Sequence, residues 1–322
     1  MDILKTAIPI LSYVLIAAFL LAFLAHWHWS FALFTHFNVQ YIVGALIFLP
    51  FLVFLNHDLF LSFCMIIVAA ISFAQTRLPM AEPWNFLPPP ITQDSGTLKV
   101  AQYNKYHKNH PYKELLPWLE QNKIDLLIMQ ELGKKEIEQF KKELGSLLPF
   151  SPPSSVRIPG HAMIFSKYKL ENLQVKKVCQ KLCETSATRF EITLPDEQTI
   201  TVFSVHADTP LFKGHYDRQS EELLQTGRWI NQEKTDKTIF IGDINTSPYS
   251  PNFRKLLDVS GLRYQNYSVL PETTWPSFMG LSFLRIPIDH ILFSDGLNLT
   301  RIKQDQSHGS DHHSLIATFT VK

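Results

Sequence analysis

The chain has 322 residues, of which 46% are hydrophobic and 18% charged, and its formal net charge is +1. A charge so near zero excludes a strongly basic surface of the kind that drives sequence-independent binding to DNA. The charges are unevenly distributed, because residues 1–80 hold only four: Asp2, Lys5, Asp58 and Arg77. This distribution excludes a wholly soluble chain and indicates an apolar N-terminal part followed by a soluble domain.

The first apolar segment covers residues 7–25. Its 19 residues match a hydrocarbon core about 30 Å thick. A cleaved signal peptide is the alternative, since Lys5 precedes the segment. The His-Trp-His-Trp run at residues 26–29 is more typical of an aromatic belt at the membrane surface than of a cleavage site. We therefore expect a retained transmembrane helix.

Two further apolar segments, residues 40–55 and 59–74, are separated only by a short turn. Each is slightly short for a full crossing, and Pro50 is expected to kink the first. They form either two spans or a re-entrant pair. In both cases the hairpin returns to its own side. The sequence thus predicts a membrane domain over residues 1–78, with the N-terminus and the part after Arg77 on opposite faces.

Membrane orientation has only weak signals in the sequence. Cytoplasmic segments of membrane proteins carry an excess of lysine and arginine. Here Lys5 lies on one side of the apolar part and Arg77 and later lysines on the other, so this excess does not indicate which side is cytoplasmic. Cys179 and Cys183 are four residues apart, a spacing that permits a disulfide across a turn and would require an oxidising compartment. Two unrelated free thiols are the alternative.

A proline-rich linker is predicted over residues 79–96 and a single α/β domain over residues 97–322. The linker includes Pro83, Pro88, Pro89 and Pro90, which cannot continue a helix. Strands are predicted at residues 98–103, 126–130, 162–166, 190–194, 200–206, 238–242, 290–293 and 315–321. Helices are predicted at residues 112–121, 134–144, 217–232 and 252–257.

Polar residues capable of chemistry recur where these predicted strands end, the place where α/β folds commonly bind ligands. Each one alone has an ordinary explanation as a loop carboxylate, a turn residue or a structural histidine. Their ordered co-occurrence indicates a functional site. In chain order the motifs are Tyr103-Asn104, Gln130-Glu131, His206, Gly242-Asp243-Ile244-Asn245, Ile288-Asp289-His290 and Gly309-Ser310-Asp311-His312.

This series of motifs resembles the endonuclease/exonuclease/phosphatase superfamily, the DNase I-like metallo-phosphoesterases. The resemblance covers residues 97–322, and Arg218-Gln219 is similar to the pair that opens the helix after the family's histidine strand. It implies a four-layer α/β sandwich with two central, largely antiparallel sheets. Hydrophobic periodicity alone does not predict that architecture.

Phosphoester cleavage needs a cation on a phosphate oxygen, because negative charge develops there in the transition state. Glu131 offers the hard carboxylate oxygen that suits Mg²⁺, with Mn²⁺ as the alternative ion. The resemblance implies Asp311 as a further metal ligand or water-mediated contact. Asn104 is expected to hold the Glu131 carboxylate and the water shell of the metal, and to contact substrate.

The remaining motif residues are assigned catalytic roles by the resemblance. Asp243 is expected to orient and deprotonate the attacking water, and Asn245 to donate a hydrogen bond to a non-bridging phosphate oxygen. His312 is expected to contact the scissile phosphate, with its tautomer fixed by Asp289. His206 is the other donor to the substrate or the general acid.

The substrate is not chosen by fold and motif, since the superfamily cleaves DNA, RNA tails, inositol phosphates, sphingomyelin and other phospholipids. A domain tethered by a short linker keeps its active site near the bilayer, which favours a phosphorylated lipid or lipid carrier. Three apolar segments before such a domain also resemble bacterial membrane proteins linked to glycopeptide resistance and thought to act on the undecaprenyl carrier. This likeness implies a bacterial plasma-membrane protein with an extracytoplasmic catalytic domain.

Two other functions stay open at this point. The first is a membrane-tethered nuclease, which would use basic residues near Asn104 to hold a nucleic-acid backbone. These residues also fit a solvated loop. They are Lys105, His107, Lys108 and His110. A catalytically inactive binding module is disfavoured, because it has no chemical need for the complete motif series. Trp275 and Phe278 have three alternative interpretations: they line the entrance to the substrate site, they insert toward lipid, or they pack beneath their own loop.

Overall fold

The computed structural model describes residues 2–90, 96–110, 112–153, 156, 162–179 and 185–322. Within these ranges the chain forms an N-terminal helical bundle followed by an α/β domain. The proposed Cys179–Cys183 pair lies outside the described residues, because residues 180–184 are not among them.

The N-terminal bundle contains three helical stretches that are long and apolar enough to cross a membrane: Asp2–Phe23, Trp29–Asn56 and Leu59–Arg77. In detail they comprise α1 (Asp2–Phe23), α2 (Trp29–Ala32), a 3₁₀ turn (Leu33–Phe37), α3 (Asn38–Phe51), a π turn (Leu52–Asn56) and α4 (Leu59–Arg77).

The second stretch is 28 residues long, much longer than the 16 residues of apolar sequence at residues 40–55. Hydropathy missed its beginning because His36 and Asn38 are polar, yet both are buried in the folded chain. Pro50 lies inside α3, and the π turn follows it directly. A proline removes one helical N–H and commonly accompanies such local rearrangement. The length is sufficient for a crossing and does not require a re-entrant pair.

The bundle buries a small apolar core and leaves most of its apolar surface outward. Leu52, Leu61 and Met65 are fully buried, whereas Phe60 and Phe63 are exposed. The side-chain Nδ2 of Asn56 donates to the carbonyl oxygen of Lys5 at 2.7 Å. This hydrogen bond places the start of α1 beside the α3–α4 turn, at the end of the bundle away from the end of α4.

Ten strands of the described residues form two five-stranded sheets, with the orders β3-β2-β1-β10-β9 and β4-β5-β6-β7-β8. The strands are β1 (Thr97–Asn104), β2 (Leu126–Gln130), β3 (Met163–Ser166), β4 (Glu171–Lys177), β5 (Ser186–Thr193), β6 (Thr199–His206), β7 (Thr238–Asp243), β8 (Asp289–Phe293), β9 (Leu297–Gln304) and β10 (Leu315–Val321). The pairs β1–β2 and β6–β7 are parallel and the others antiparallel.

The inner faces of the sheets meet in one apolar core that includes Val100, Ile128, Phe190 and Val202. Helices cover the outer faces: α5 (Tyr112–Asn122) and α6 (Lys134–Leu144) on the first sheet, and α7 (Lys213–Glu233) and α8 (Pro251–Ser260) on the second. The four-layer α/β sandwich that the resemblance implied is therefore confirmed.

Two strands, β4 and β9, were not predicted. Both are edge strands, and β4 is exposed on nearly every residue. Each alternates apolar with polar residues over only a few positions, at Leu173 and Val175 in β4 and at Leu297 and Leu299 in β9. So short an alternation within charged sequence is a weak strand signal.

The first part of the linker packs against the α/β domain, in contrast to the extended spacer that its prolines indicated. Met80 is buried in the core between α8 and the second sheet. The N–H of Ala81 donates to the carbonyl oxygen of Tyr264 at 2.7 Å, and Nη1 of Arg77 donates to the carbonyl oxygen of Ser268 at 2.8 Å. Prolines exclude a helix but not such packing. The predicted boundaries at residues 78 and 96 stay a prediction.

Candidate active site

A cavity of about 660 Å³ opens at the carboxyl ends of strands β2, β6 and β7. Six predicted site residues line it: Glu131, His206, Asp243, Asn245, Asp311 and His312. The other two, Asn104 and Asp289, lie behind this wall and are hydrogen-bonded to residues that face the cavity. The structure thus brings all eight predicted residues together.

Asp243 is the centre of this constellation and is 1% exposed. Its Oδ2 accepts a hydrogen bond from Nδ2 of Asn104 at 3.0 Å and lies 3.7 Å from Nε2 of both His206 and His312. Its Oδ1 accepts from the backbone N–H of Asn245 at 3.0 Å. Burial and the nearby carboxylate of Asp289 raise the pKa of Asp243. A raised pKa makes it a stronger base than a free aspartate.

A glycine fixes the register that makes this arrangement possible. Gly242 pairs with Val205 across the parallel strands β6 and β7, which places Asp243 opposite His206. A Cβ atom on Gly242 would collide with the carbonyl oxygen of Val205. Only glycine allows the two strands to approach this closely.

A chain of buried, hydrogen-bonded polar side chains holds His312 in place. Its Nδ1 lies 2.9 Å from Oδ2 of Asp289, and Nε2 of Gln102 donates to Oδ1 of Asp289 at 2.5 Å. Burial alone would lower the pKa of His312, but the carboxylates of Asp289 and Asp243 outweigh it and raise the pKa to about 10. The imidazolium form therefore dominates near neutral pH, and both ring nitrogens then donate.

Glu131 presents an ionised carboxylate to the same cavity. Its Oε1 accepts from Nδ2 of Asn104 and its Oε2 from the N–H of His107, both at 3.0 Å. Burial acts to raise the pKa of Glu131, but these hydrogen bonds outweigh it and the pKa is lowered. The residue also has a φ of +62°, a strained conformation of the kind that collects at functional sites.

Asn104 links two of the acidic residues. Its amide nitrogen donates to both Glu131 and Asp243, while its Oδ1 accepts from the N–H of Tyr106 at 3.0 Å. In this orientation the amide positions carboxylates, and its predicted contacts with metal and substrate stay a prediction. Asp311 is positioned by Trp275, whose Nε1 donates to Oδ2 at 3.3 Å.

The donor set fits a hard divalent ion. Glu131 and Asp311 both present carboxylate oxygens to the cavity. Mg²⁺ prefers oxygen ligands and usually retains several bound waters, so it needs few ligands from the protein. Ligand atoms of Asp243, Asp289 and His312 also lie within 4.8 Å of one another. Those three groups satisfy each other through the hydrogen bond and charge attraction already described. The predicted metal position at Glu131 and Asp311 stays a prediction, and both residues line the cavity.

Gln102 is a functional residue that the sequence analysis missed. It is fully buried in β1 and links Asp289 to Oε1 of Gln130. The available signal was its position two residues before Asn104, since alternate strand residues share a face. A glutamine there, within an otherwise apolar buried strand, requires polar partners.

Lys105 has a structural role in the loop after β1. It is fully buried, with Nζ 3.2 Å from Oε1 of Glu136 and 3.0 Å from the carbonyl oxygen of Asn109. His107 contacts Glu131 and His110 contacts Glu136. The basic cluster that a nuclease would present to a nucleic-acid backbone is thus largely engaged within the protein.

Gln219 holds together the two loops that follow β6 and β7. Its Nε2 donates to the carbonyl oxygens of Asp208 and Asn245, both at 2.9 Å. Arg218, beside it, donates from Nε to Oδ2 of Asp208 at 2.7 Å. The Nδ2 of Asn245 donates to the carbonyl oxygen of Ala207 at 3.0 Å. These bonds connect the walls of the cavity.

Fold and site together define a member of a phosphoesterase family. Residues 100–312 match the Endonuclease/Exonuclease/phosphatase family model, and the chain belongs to that family, whose members hydrolyse phosphate esters. It is similar to the UPF0294 protein of Vibrio campbellii, with 23% identity over 245 residues, covering 73% of this chain and 82% of the relative.

Solved structures show the same fold. A Bacteroides thetaiotaomicron endonuclease/exonuclease/phosphatase family protein is similar with a TM-score of 0.57 and 15% identity, covering 71% of this chain and 99% of that one. The catalytic domain of human Nocturnin, with a bound sulfate anion, has a TM-score of 0.54 and 20% identity, covering 71% of this chain and 98% of that one.

Proposed function

We propose that this protein is a membrane-anchored, divalent-metal-dependent phosphoesterase that hydrolyses a lipid-linked phosphate ester or pyrophosphate. One observation carries the proposal: the loop that follows Asp243 at the end of β7 lies against the apolar bundle. Ser247, four residues after Asp243, donates from its backbone N–H to Nδ1 of His36 at 3.1 Å. His36 belongs to the second of the three apolar stretches. The active site is therefore near the bilayer surface if these stretches span the membrane.

Asp243 activates the attacking water. Its raised pKa suits a general base, and its hydrogen bonds to Asn104 and Asn245 fix the carboxylate in one orientation. Water held by this carboxylate faces the cavity between His206 and His312. We propose that this water attacks in line a phosphate bound between the two histidines.

Positive charge on His312 stabilises the negative charge that develops on the phosphate oxygens, and Asp289 keeps the ring in place. His206 ends the strand β6 beside Asp243, and it donates to the substrate or protonates the leaving oxygen. Asn245 would donate its second amide N–H to a non-bridging oxygen, since the first bonds the carbonyl oxygen of Ala207. A bound Mg²⁺ or Mn²⁺ at Glu131 and Asp311 would supply further positive charge beside the phosphate.

Membrane placement follows from the course of the bundle. Lys5 and Asn56 lie together at the end opposite to the α/β domain, so three crossings put the N-terminus and the domain on opposite faces. We propose the plasma membrane of a bacterium, with the domain extracytoplasmic. Protease digestion of intact and permeabilised cells tests this, because an extracytoplasmic domain is cleaved in cells whose cytoplasmic marker remains intact.

The substrate class is tested with the full chain in detergent–lipid micelles containing Mg²⁺. A polyprenyl pyrophosphate, a phospholipid and plasmid DNA are compared at equal phosphate concentration, with Asp243→Asn as the inactive control. We expect the lipid substrates to be hydrolysed fastest. Preferential cleavage of DNA would support the nuclease alternative instead. Folded wild-type protein that turns over none of the three would contradict the proposal.

A further inference from the structure

We infer that two apolar loops beside the cavity enter the bilayer surface and present the phosphate of a membrane lipid to the active site. This inference rests on the proposed function and deepens it. The loops carry four residues that we call the apolar rim: Leu211, Phe212, Phe278 and Leu281. The ligand is a lipid whose phosphate enters the cavity while its hydrocarbon chain stays in the bilayer.

The apolar rim is unusually exposed for side chains of its size. The exposed fractions are 61% for Leu211, 67% for Phe212, 74% for Phe278 and 55% for Leu281. Single exposed apolar residues need no explanation, but several on neighbouring functional loops mark an interaction surface. Transfer of such side chains out of water is favourable by the hydrophobic effect.

Both loops adjoin the cavity. Thr209 lines it two residues before Leu211, and Trp275 lines it three residues before Phe278. Trp275 also holds Asp311. The rim side chains thus lie on the same loops as residues that shape the entrance to the catalytic cavity.

Both loops are also tied to the apolar bundle. The helix α7 begins directly after Phe212, and α2 packs against α7. On the other loop, Nε2 of Gln40 donates to the carbonyl oxygens of Phe283 and Arg285 at 2.9 and 2.8 Å. The rim is consequently fixed near the level at which the helices reach the α/β domain.

Aromatic residues mark the same level on the bundle. Trp27 follows the end of α1 and is 82% exposed, and Trp84 follows the end of α4 and is 60% exposed. Tryptophan is enriched where a membrane meets water, because its ring is apolar and its N–H is polar. Together with the apolar rim, these two residues indicate that this surface contacts the headgroup region of the membrane.

Crosslinking to lipid tests the placement without depending on catalysis. Full-length protein carrying p-benzoylphenylalanine at position 212, 278 or 150 is reconstituted into phosphatidylglycerol–phosphatidylethanolamine vesicles that contain a labelled phospholipid. Phe150 is the matched control, because it pairs with Ser166 opposite Leu126, at the far end of β2 from Glu131. We expect lipid adducts at positions 212 and 278 and none at 150. Equal labelling at all three positions, or none at 212 and 278, would overturn the inference.

Turnover tests the delivery of substrate. In Phe212→Ser/Phe278→Ser, the ratio of vesicle-lipid hydrolysis to hydrolysis of a soluble phosphodiester should fall about tenfold or more, as expected from removing two aromatic side chains that would otherwise insert into the bilayer surface. Phe150→Ser should keep the wild-type ratio. An unchanged ratio in the double variant would contradict the inference and leave the proposed function standing. Lipid adducts without any phosphoester turnover would contradict the proposed function alone.

Discussion

Nδ1 of His36 accepts a hydrogen bond from the backbone N–H of Ser247 at 3.1 Å, and both residues are buried. One belongs to the apolar bundle and the other to the loop that carries Asp243 and Asn245. The bundle is therefore part of the framework that positions Asp243, the proposed base. A soluble α/β domain alone would lack this contact.

Replacing His36 tests that connection. His36→Phe keeps an aromatic ring but removes the acceptor, leaving a buried N–H unsatisfied at a cost of about 1–3 kcal/mol. We expect kcat to fall about tenfold with a smaller change in KM, because small displacements of a catalytic group lower the rate of the chemical step. His36→Asn, whose Oδ1 can accept the bond, should recover part of kcat. Wild-type kcat in His36→Phe would contradict a positioning role.

Loss of Glu131 should weaken metal binding. Glu131→Gln removes the negative charge and leaves one acceptor oxygen, enough for the hydrogen bond from either Asn104 or His107 but not for both. The Mg²⁺ concentration for half-maximal activity should therefore rise at least about tenfold. Titration of activity with Mg²⁺ measures this. Glu120→Gln, at an exposed position on α5, is the matched control. Identical Mg²⁺ titrations for wild type and Glu131→Gln would exclude Glu131 as a ligand.

The charge state of His312 predicts a dependence of stability on pH. Its pKa is raised from 6.5 to about 10 in the folded protein, so folding favours the protonated form. This contribution to the free energy of unfolding is complete below pH 6.5 and is lost as the pH rises to about 10. Thermal unfolding of the full chain, followed by near-ultraviolet circular dichroism, should show a decline over that window.

Substitution of Asp289 removes the main cause of that pKa shift. In Asp289→Asn the decline that begins near pH 6.5 should become smaller and end at a lower pH, because the carboxylate no longer stabilises the imidazolium in the folded protein. His312→Gln should remove the contribution of this residue altogether. A pH profile that is the same in wild type and both variants would show that His312 is not protonated as described.

Lys105 should be important for stability. Lys105→Met leaves the Glu136 carboxylate without its 3.2 Å ion pair, and breaking a buried pair costs about 3–5 kcal/mol. Glu136 is partly exposed, so we expect the lower end of that range. Lys108→Met, at an exposed position in the same loop, should change stability little. Thermal unfolding compares the two, and equal losses would show that Lys105 is not structurally distinct.

The sequence was most informative where burial leaves a simple pattern. Strand ends such as Gln130-Glu131 and Gly242-Asp243 follow wholly apolar runs, so both strand and site residue were predictable. The polar start of the second apolar stretch, before residue 40, was not predictable, because His36 contacts the α/β domain. Hydropathy alone cannot distinguish a polar residue that contacts another part of the protein from one that is exposed to water. The spacing of Gln102 from Asn104 indicates that the two share a face of β1, but the partner of Gln102, Asp289, lies far away in the sequence and is recorded by no local pattern.

The most direct test of the account is turnover of bis-p-nitrophenyl phosphate by the purified full chain, with and without divalent metal. Wild type should be active in Mg²⁺ or Mn²⁺, inactive in EDTA and restored by excess metal. Asp243→Asn and His312→Gln should each lose at least about a hundredfold in rate while remaining folded, as expected on removing one preorganised catalytic group. Metal-independent turnover, or near wild-type rates in both variants, would contradict the account.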